Sequence, residues 1–223
     1  MIPASMGYSG DMAEIYAFPM GVSAMTTQPL RAASFESDRG RTVPCVVLRA
    51  VDSVRSMTLR NGVAYREIPV SSDLADYGIG VRMDVMDGGP ERTSGWIMIL
   101  FSRLPREEWG SCWRCVAFAS SSSPVTMHDT LTPTLTWDCL ERMITGVEEE
   151  TLGGTVSLNR DTSFGTLARY SAKSRRSGCE LRVSWTPVSA DDGSLDAGSQ
   201  IDVWARFLKT LTADEEWKDP ISD

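Results

Sequence analysis

The chain has 223 residues, 42% hydrophobic and 23% charged, which is enough length and apolar content to bury a core as an ordinary globular protein. No apolar run approaches the roughly 18 residues of a membrane-spanning helix. Asp11 and Glu14 also interrupt the amino-terminal segment where a secretory signal needs an unbroken apolar stretch, so a cytoplasmic protein with no membrane partner is expected. A net charge of -8 and a pI near 4.8 argue against a general polyanion binder, because nucleic-acid affinity comes largely from Lys and Arg neutralising phosphates.

Residues 1–40 are rich in Gly, Pro, Ser, Thr and Met and show neither a 3.6 nor a 2.0 period. They read as a disordered extension, with Met25 as an alternative start. A single α+β domain is expected over residues 41–213, followed by an acidic tail over 214–223. Order begins near Thr42-Val43-Pro44, where Thr can cap a helix and Pro can occupy its first turn. Val47, Leu48, Val51 and Val54 share one face of that helix, and Asn61-Gly62 is the expected end.

From Val63 the period changes. Ile79, Val81, Met83 and Val85 alternate with Gly80, Arg82, Asp84 and Met86, a strand with one buried face, and Asp87-Gly88-Gly89-Pro90 supplies a turn. Residues 96–101 are apolar at both parities, which predicts a central strand covered on both sides. The polar Pro105-Arg106-Glu107-Glu108 then leads into Trp109–Phe118, read as a hairpin partner, and into a Ser-rich loop at 120–124.

Thr132-Pro133 opens a second helix, with Leu135, Cys139, Leu140, Met143, Ile144 and Val147 as its apolar stripe, before an acidic run at 148–150. Strands follow at 155–158 and 179–185, and Pro187 stops the second. Ile201, Trp204, Phe207, Leu208 and Leu211 mark a third amphipathic helix. The order helix, strands, helix, strands, helix predicts an α+β fold: an antiparallel sheet with about three helices packed on it.

Candidate chemistry centres on Cys112 and Cys115, a C-x-x-C motif. On a strand, residues three apart project from opposite faces, so the two sulfurs could share neither a metal nor a disulfide. Neither a second C-x-x-C nor a histidine pair exists to complete a zinc site, and no buried strand leads directly into the motif as a thioredoxin-type centre requires. The five cysteines at 45, 112, 115, 139 and 179 therefore read as reduced thiols used in packing. The single histidine, His128 beside Asp129, lacks the further ligands that a metal phosphohydrolase needs. Gly7-Tyr8-Ser9-Gly10 is not a nucleophile elbow, and Gly153-Gly154 lacks the context of a phosphate loop. No catalytic residue, metal site or cofactor is assigned.

Arg169, Lys173, Arg175 and Arg176 stand out against the acidic background as a candidate anion- or partner-binding cluster. The tryptophans at 96, 109, 113, 137, 185 and 204 mostly fall at buried parities and read as core.

Glu67-Ile68-Pro69, Arg114-Cys115-Val116-Ala117, the helix with Trp137, Gly154-Thr155-Val156, Phe164-Gly165, Ser184-Trp185-Thr186-Pro187 and Trp204 together carry a resemblance. In order and spacing, from about residue 45 to 212, they resemble an actinobacterial family catalogued as domain of unknown function 3000. The resemblance implies no reaction, cofactor or active-site residue. Genes of the family often lie beside one for an exonuclease resembling ribonuclease D.

Two functional classes follow. The first is a non-catalytic protein-interaction or chaperone-like module, since the element order is similar to the type III secretion chaperone architecture. Its partner would be another protein or a second copy of the chain, bound on a helix or sheet face. The second is an enzyme or accessory factor acting on RNA or nucleotides, for which the basic cluster and the gene context speak. The inventory favours the first, because no poised acid, base, nucleophile or metal site is legible.

Overall fold

A computed structural model describes residues 43–86, 93–122, 131–160, 164–166 and 177–212. The chain order is α1 (Cys45–Ser56), β1 (Val63–Glu67), β2 (Tyr77–Val85), β3 (Thr93–Arg106), β4 (Ser111–Ser121), α2 (Thr132–Met143), a 3-10 turn (Glu149–Thr151), β5 (Gly153–Arg160), β6 (Ser177–Trp185) and α3 (Ala197–Thr210). The six strands form one sheet in the order β1-β2-β3-β4-β6-β5, every pair antiparallel. The fold is thus α+β with the expected element order. Residues 1–42, 87–92, 123–130 and 213–223 lie outside the described residues, and with them the expectations for the two termini, the 87–90 turn and His128.

Strand alternation assigns the two faces of the sheet. Val81, Met83, Ile97, Ile99, Cys115, Ala117, Leu181, Val183 and Trp185 point to one side and are all but fully buried, together with α1, α2 and α3. Helix α3 is the keystone of that layer. Ile201, Trp204, Ala205, Phe207 and Leu208 are all 0% exposed, so it is apolar on most of its circumference and lies across β2 and β3 with α1 and α2 beside it. Burying each large side chain of this kind contributes on the order of 1.5–3 kcal/mol. Asp196 caps α3 by accepting from the Ser199 amide at 3.0 Å. Trp185 Nε1 donates to Gln200 Oε1 at 2.8 Å, so the indole satisfies its one donor inside the core.

Several local expectations are corrected. Helix α1 ends at Ser56, before Asn61-Gly62, because its buried face runs out at Val54 and the chain turns to pair Arg60 with Asp202 on α3. Pro44 is the residue preceding the first helical turn, and the buried stripe runs through Val47, Ala50, Val51 and Val54, with Leu48 left 44% exposed. Ser53 meets α3, its hydroxyl accepting from the Gly198 amide at 3.1 Å. In α2 the buried positions are Thr136 and Leu140; Leu135 is exposed, and Val147 lies beyond the helix in a bridge to Pro187.

The largest correction concerns β3. It is central in the sheet, yet Trp96 and Met98 on its second face are only half-buried. No helix of the described residues packs there; Trp96 stacks on Phe118, and Met98 packs against the cluster of Val70, Ala75 and Leu100. Trp96 and Trp109 therefore do not belong to the helix-covered core, whereas Trp113, Trp185 and Trp204 do.

Candidate functional site

The open face is built by the alternate residues of the same strands. Register places Arg66, Arg82, Trp96, Phe118, Arg182 and Thr155 directly beside one another in a row that crosses all six strands. Trp96 and Phe118 stack with ring centroids 5.9 Å apart and planes 21° apart, and the Arg182 guanidinium lies 5.5 Å from the Phe118 centroid. The neighbouring row adds Met98 and Val116, both half-buried.

A strap formed by residues 68–75 crosses the β2 end of this face. Gly78 and Gly80 are required there, since a Cβ on either would lie 2.6 Å from Val70 Cγ1 and 2.5 Å from the Ile68 carbonyl, respectively. Val70 and Ala75 bury Leu100 under the strap, with Met98, Trp109 and Val116 packed around them. The strap stops short of Trp96 and Phe118, and the central two strands leave a half-buried apolar patch between flanking arginines.

The charge of this face opposes that of the chain. Its strand positions carry four arginines, 66, 82, 114 and 182, against two carboxylates, Asp84 and Glu180. Arg82 pairs with Asp84 at 3.0 Å and Arg182 with Glu180 at 2.8 Å, each two residues along its own strand. Arg66 and Arg114 have no carboxylate within ion-pair distance among the described residues. Arg114 instead donates to Ser184 Oγ at 2.7 Å and to Thr186 Oγ1 at 3.1 Å. Both hydroxyls belong to the Ser184–Pro187 segment.

Another concavity, of about 800 Å³, lies on the helical side between the end of α1 and the start of α3. Its charged groups are each bonded to another residue of the lining. Arg60 is held by Asp202, which raises the guanidinium above its ordinary value, Lys209 donates to the Asn61 carbonyl at 2.9 Å, and Asp196 caps α3.

The residues singled out from sequence divide as follows. Cys112 and Cys115 share strand β4; both are free thiols, and burial pushes the Cys115 thiol far above its ordinary range. No group of three or more His, Cys, Asp or Glu converges among the described residues. Arg169, Lys173, Arg175 and Arg176 lie outside the described residues. Trp96, Phe118, Arg82, Arg114 and Arg182 come from four strands, β2, β3, β4 and β6, and register brings them onto one face.

Residues 43–213 match the family described as Protein of unknown function (DUF3000). The chain belongs to that family. Arg114, Ser184 and Thr186 of the open face, and Trp185, Trp137 and Trp204 of the core, are among the residues that carry the DUF3000 resemblance. No curated protein and no solved structure matches this DUF3000 chain.

Proposed function

We propose that the protein is a non-catalytic, chaperone-like interaction module that acts in the cytoplasm of an actinobacterium and uses the open face of its sheet to hold a protein partner. The observation that carries the reading is the row Arg82, Trp96, Phe118, Arg182, an aromatic pair flanked by cations on the sheet face that no helix of the described residues covers. Trp and Arg are the residue types that dominate the binding energy of protein interfaces, and Met98 beside them gives an adaptable apolar surface. The net positive face on a chain of charge -8 favours an acidic partner and disfavours stacking of like copies through the same face. Five free thiols agree with a reducing compartment.

Aromatic rings between arginines also suit the bases of single-stranded nucleic acid, which is the form an RNA-related role would take here. The test separates the two. A partner recovered with the full chain is purified, and its binding is measured by calorimetry against the parent and against Trp96→Ser with Phe118→Ser. The same pair of proteins is tested by fluorescence polarisation with a short labelled single-stranded RNA at low salt. The proposal expects partner binding that the double variant loses and no RNA binding. RNA binding abolished by the double variant, or a partner held equally by both proteins, overturns it.

A further inference from the structure

At the strap end of the open face, Arg114 differs from the arginines that form ion pairs on the sheet and on α3. Arg60, Arg82 and Arg182 each face a carboxylate, whereas Arg114 is half-buried and spends two of its five N–H donors on neutral hydroxyls. Those hydroxyls are themselves fixed. Thr186, 2% exposed, donates its hydroxyl to the Trp109 carbonyl at 2.7 Å and its amide to Thr151 Oγ1 at 2.9 Å, so its oxygen can only accept from Arg114. Ser184 Oγ accepts from Arg114, and among the described residues its own proton is given to no other group.

The guanidinium is thereby locked in one orientation, with three N–H groups and a neighbouring O–H unspent among the described residues. Desolvation draws its pKa below the ordinary arginine value, opposite to Arg60 and Arg82, whose carboxylates raise theirs. A partly desolvated cation without a counter-charge is costly, and an incoming anion recovers that cost. The planar fork matches the two oxygens of a carboxylate, and one positive charge balances one carboxylate but not a phosphate dianion.

We infer that Arg114, oriented by Ser184 and Thr186, is the seat for a carboxylate on an acidic side chain of the polypeptide that docks on the open face. This rests on the reading of that face as a protein interface, with Trp96 and Phe118 supplying the apolar contact and Arg114 the polar anchor.

The test uses the full chain with nitrogen-15 arginine, following the Arg114 Nε–H resonance, assigned by its loss in Arg114→Lys. The probe is N-acetyl-glutamate α-amide, compared with N-acetyl-glutamine amide, inorganic phosphate and chloride at matched ionic strength. A saturable shift with the glutamate probe is expected, at least about tenfold stronger than with the glutamine probe or phosphate, and retained in Trp96→Ser with Phe118→Ser. The wild-type titration needs no variant to fold. An absent or non-saturating response, or one that phosphate matches, overturns the carboxylate seat while leaving the interface reading to its own test. A saturable response in wild type that disappears in the aromatic double variant overturns the assignment of the anchor to Arg114.

Discussion

The hydrogen bond from Trp185 to Gln200 ties sheet to helix in the middle of the core, and it sets up a quantitative prediction. Trp185 is 0% and Gln200 5% exposed, and their 2.8 Å bond satisfies the indole N–H. In Gln200→Leu the side chain keeps a similar size and helix propensity but the buried donor loses its acceptor, which costs about 1–3 kcal/mol. At about 2–4 °C per kcal/mol for a chain of this size, the midpoint falls by several degrees. Trp185→Phe also removes ring volume and strands the amide oxygen, so its cost is at least as large. Combining the two removes donor and acceptor together, and the double variant is expected to be more stable than the sum of the single effects by about 1–2 kcal/mol. Urea denaturation of the four proteins measures that coupling. Additivity within about 0.5 kcal/mol would refute the claim that this bond joins Trp185 to α3.

Two shorter predictions follow. Gly95→Ala would place a Cβ 2.3 Å from the Phe118 carbonyl and 2.9 Å from Leu208 Cδ2, so it should destabilise by roughly 1–3 kcal/mol in denaturation, while Gly153→Ala, with nothing within 4 Å, stays within about 0.5 kcal/mol. In native thiol labelling read by mass spectrometry, exposed Cys45 should react first and Cys115 only after unfolding, because burial both blocks access and disfavours its thiolate; early labelling of Cys115, or a disulfide joining it to Cys112, would contradict the strand placement.

How much was legible in the sequence varies by feature. The alternation at 79–85 and 179–185 reports correctly which residues of β2 and β6 face the core, because a strand's period acts residue by residue. Cys112 and Cys115 lie on β4 as the hairpin reading of the flanking turn and strand expects, and on a strand an offset of three puts them on alternate sides. The apolar run at 96–101 misleads in part: the strap buries Leu100 and packs on Met98, but Trp96 satisfies a buried pattern while its ring is covered only by Phe118 on the next strand. The site itself is non-local. Arg82, Trp96, Phe118 and Arg182 are spread over about a hundred residues of chain, and only the pairing of β4 with β6 instead of β5 sets Arg182 against Phe118. Likewise nothing along the chain reveals that Arg114 lacks a carboxylate, because that depends on which side chains converge around it.

The central claim is that the partner lies on the open face and not on the helices, and affinity measured on two matched double variants tests it most directly. Trp96→Ser with Phe118→Ser alters the sheet face; Leu48→Ser with Leu135→Ser alters the exposed apolar positions of α1 and α2, 44% and 39% exposed. By calorimetry against the purified partner, with melting curves as the control for folding, the sheet variant should lose about 2 kcal/mol or more of binding, about thirtyfold, and the helix variant should stay within about twofold of the parent. A helix variant that loses binding while the sheet variant retains it would contradict the account.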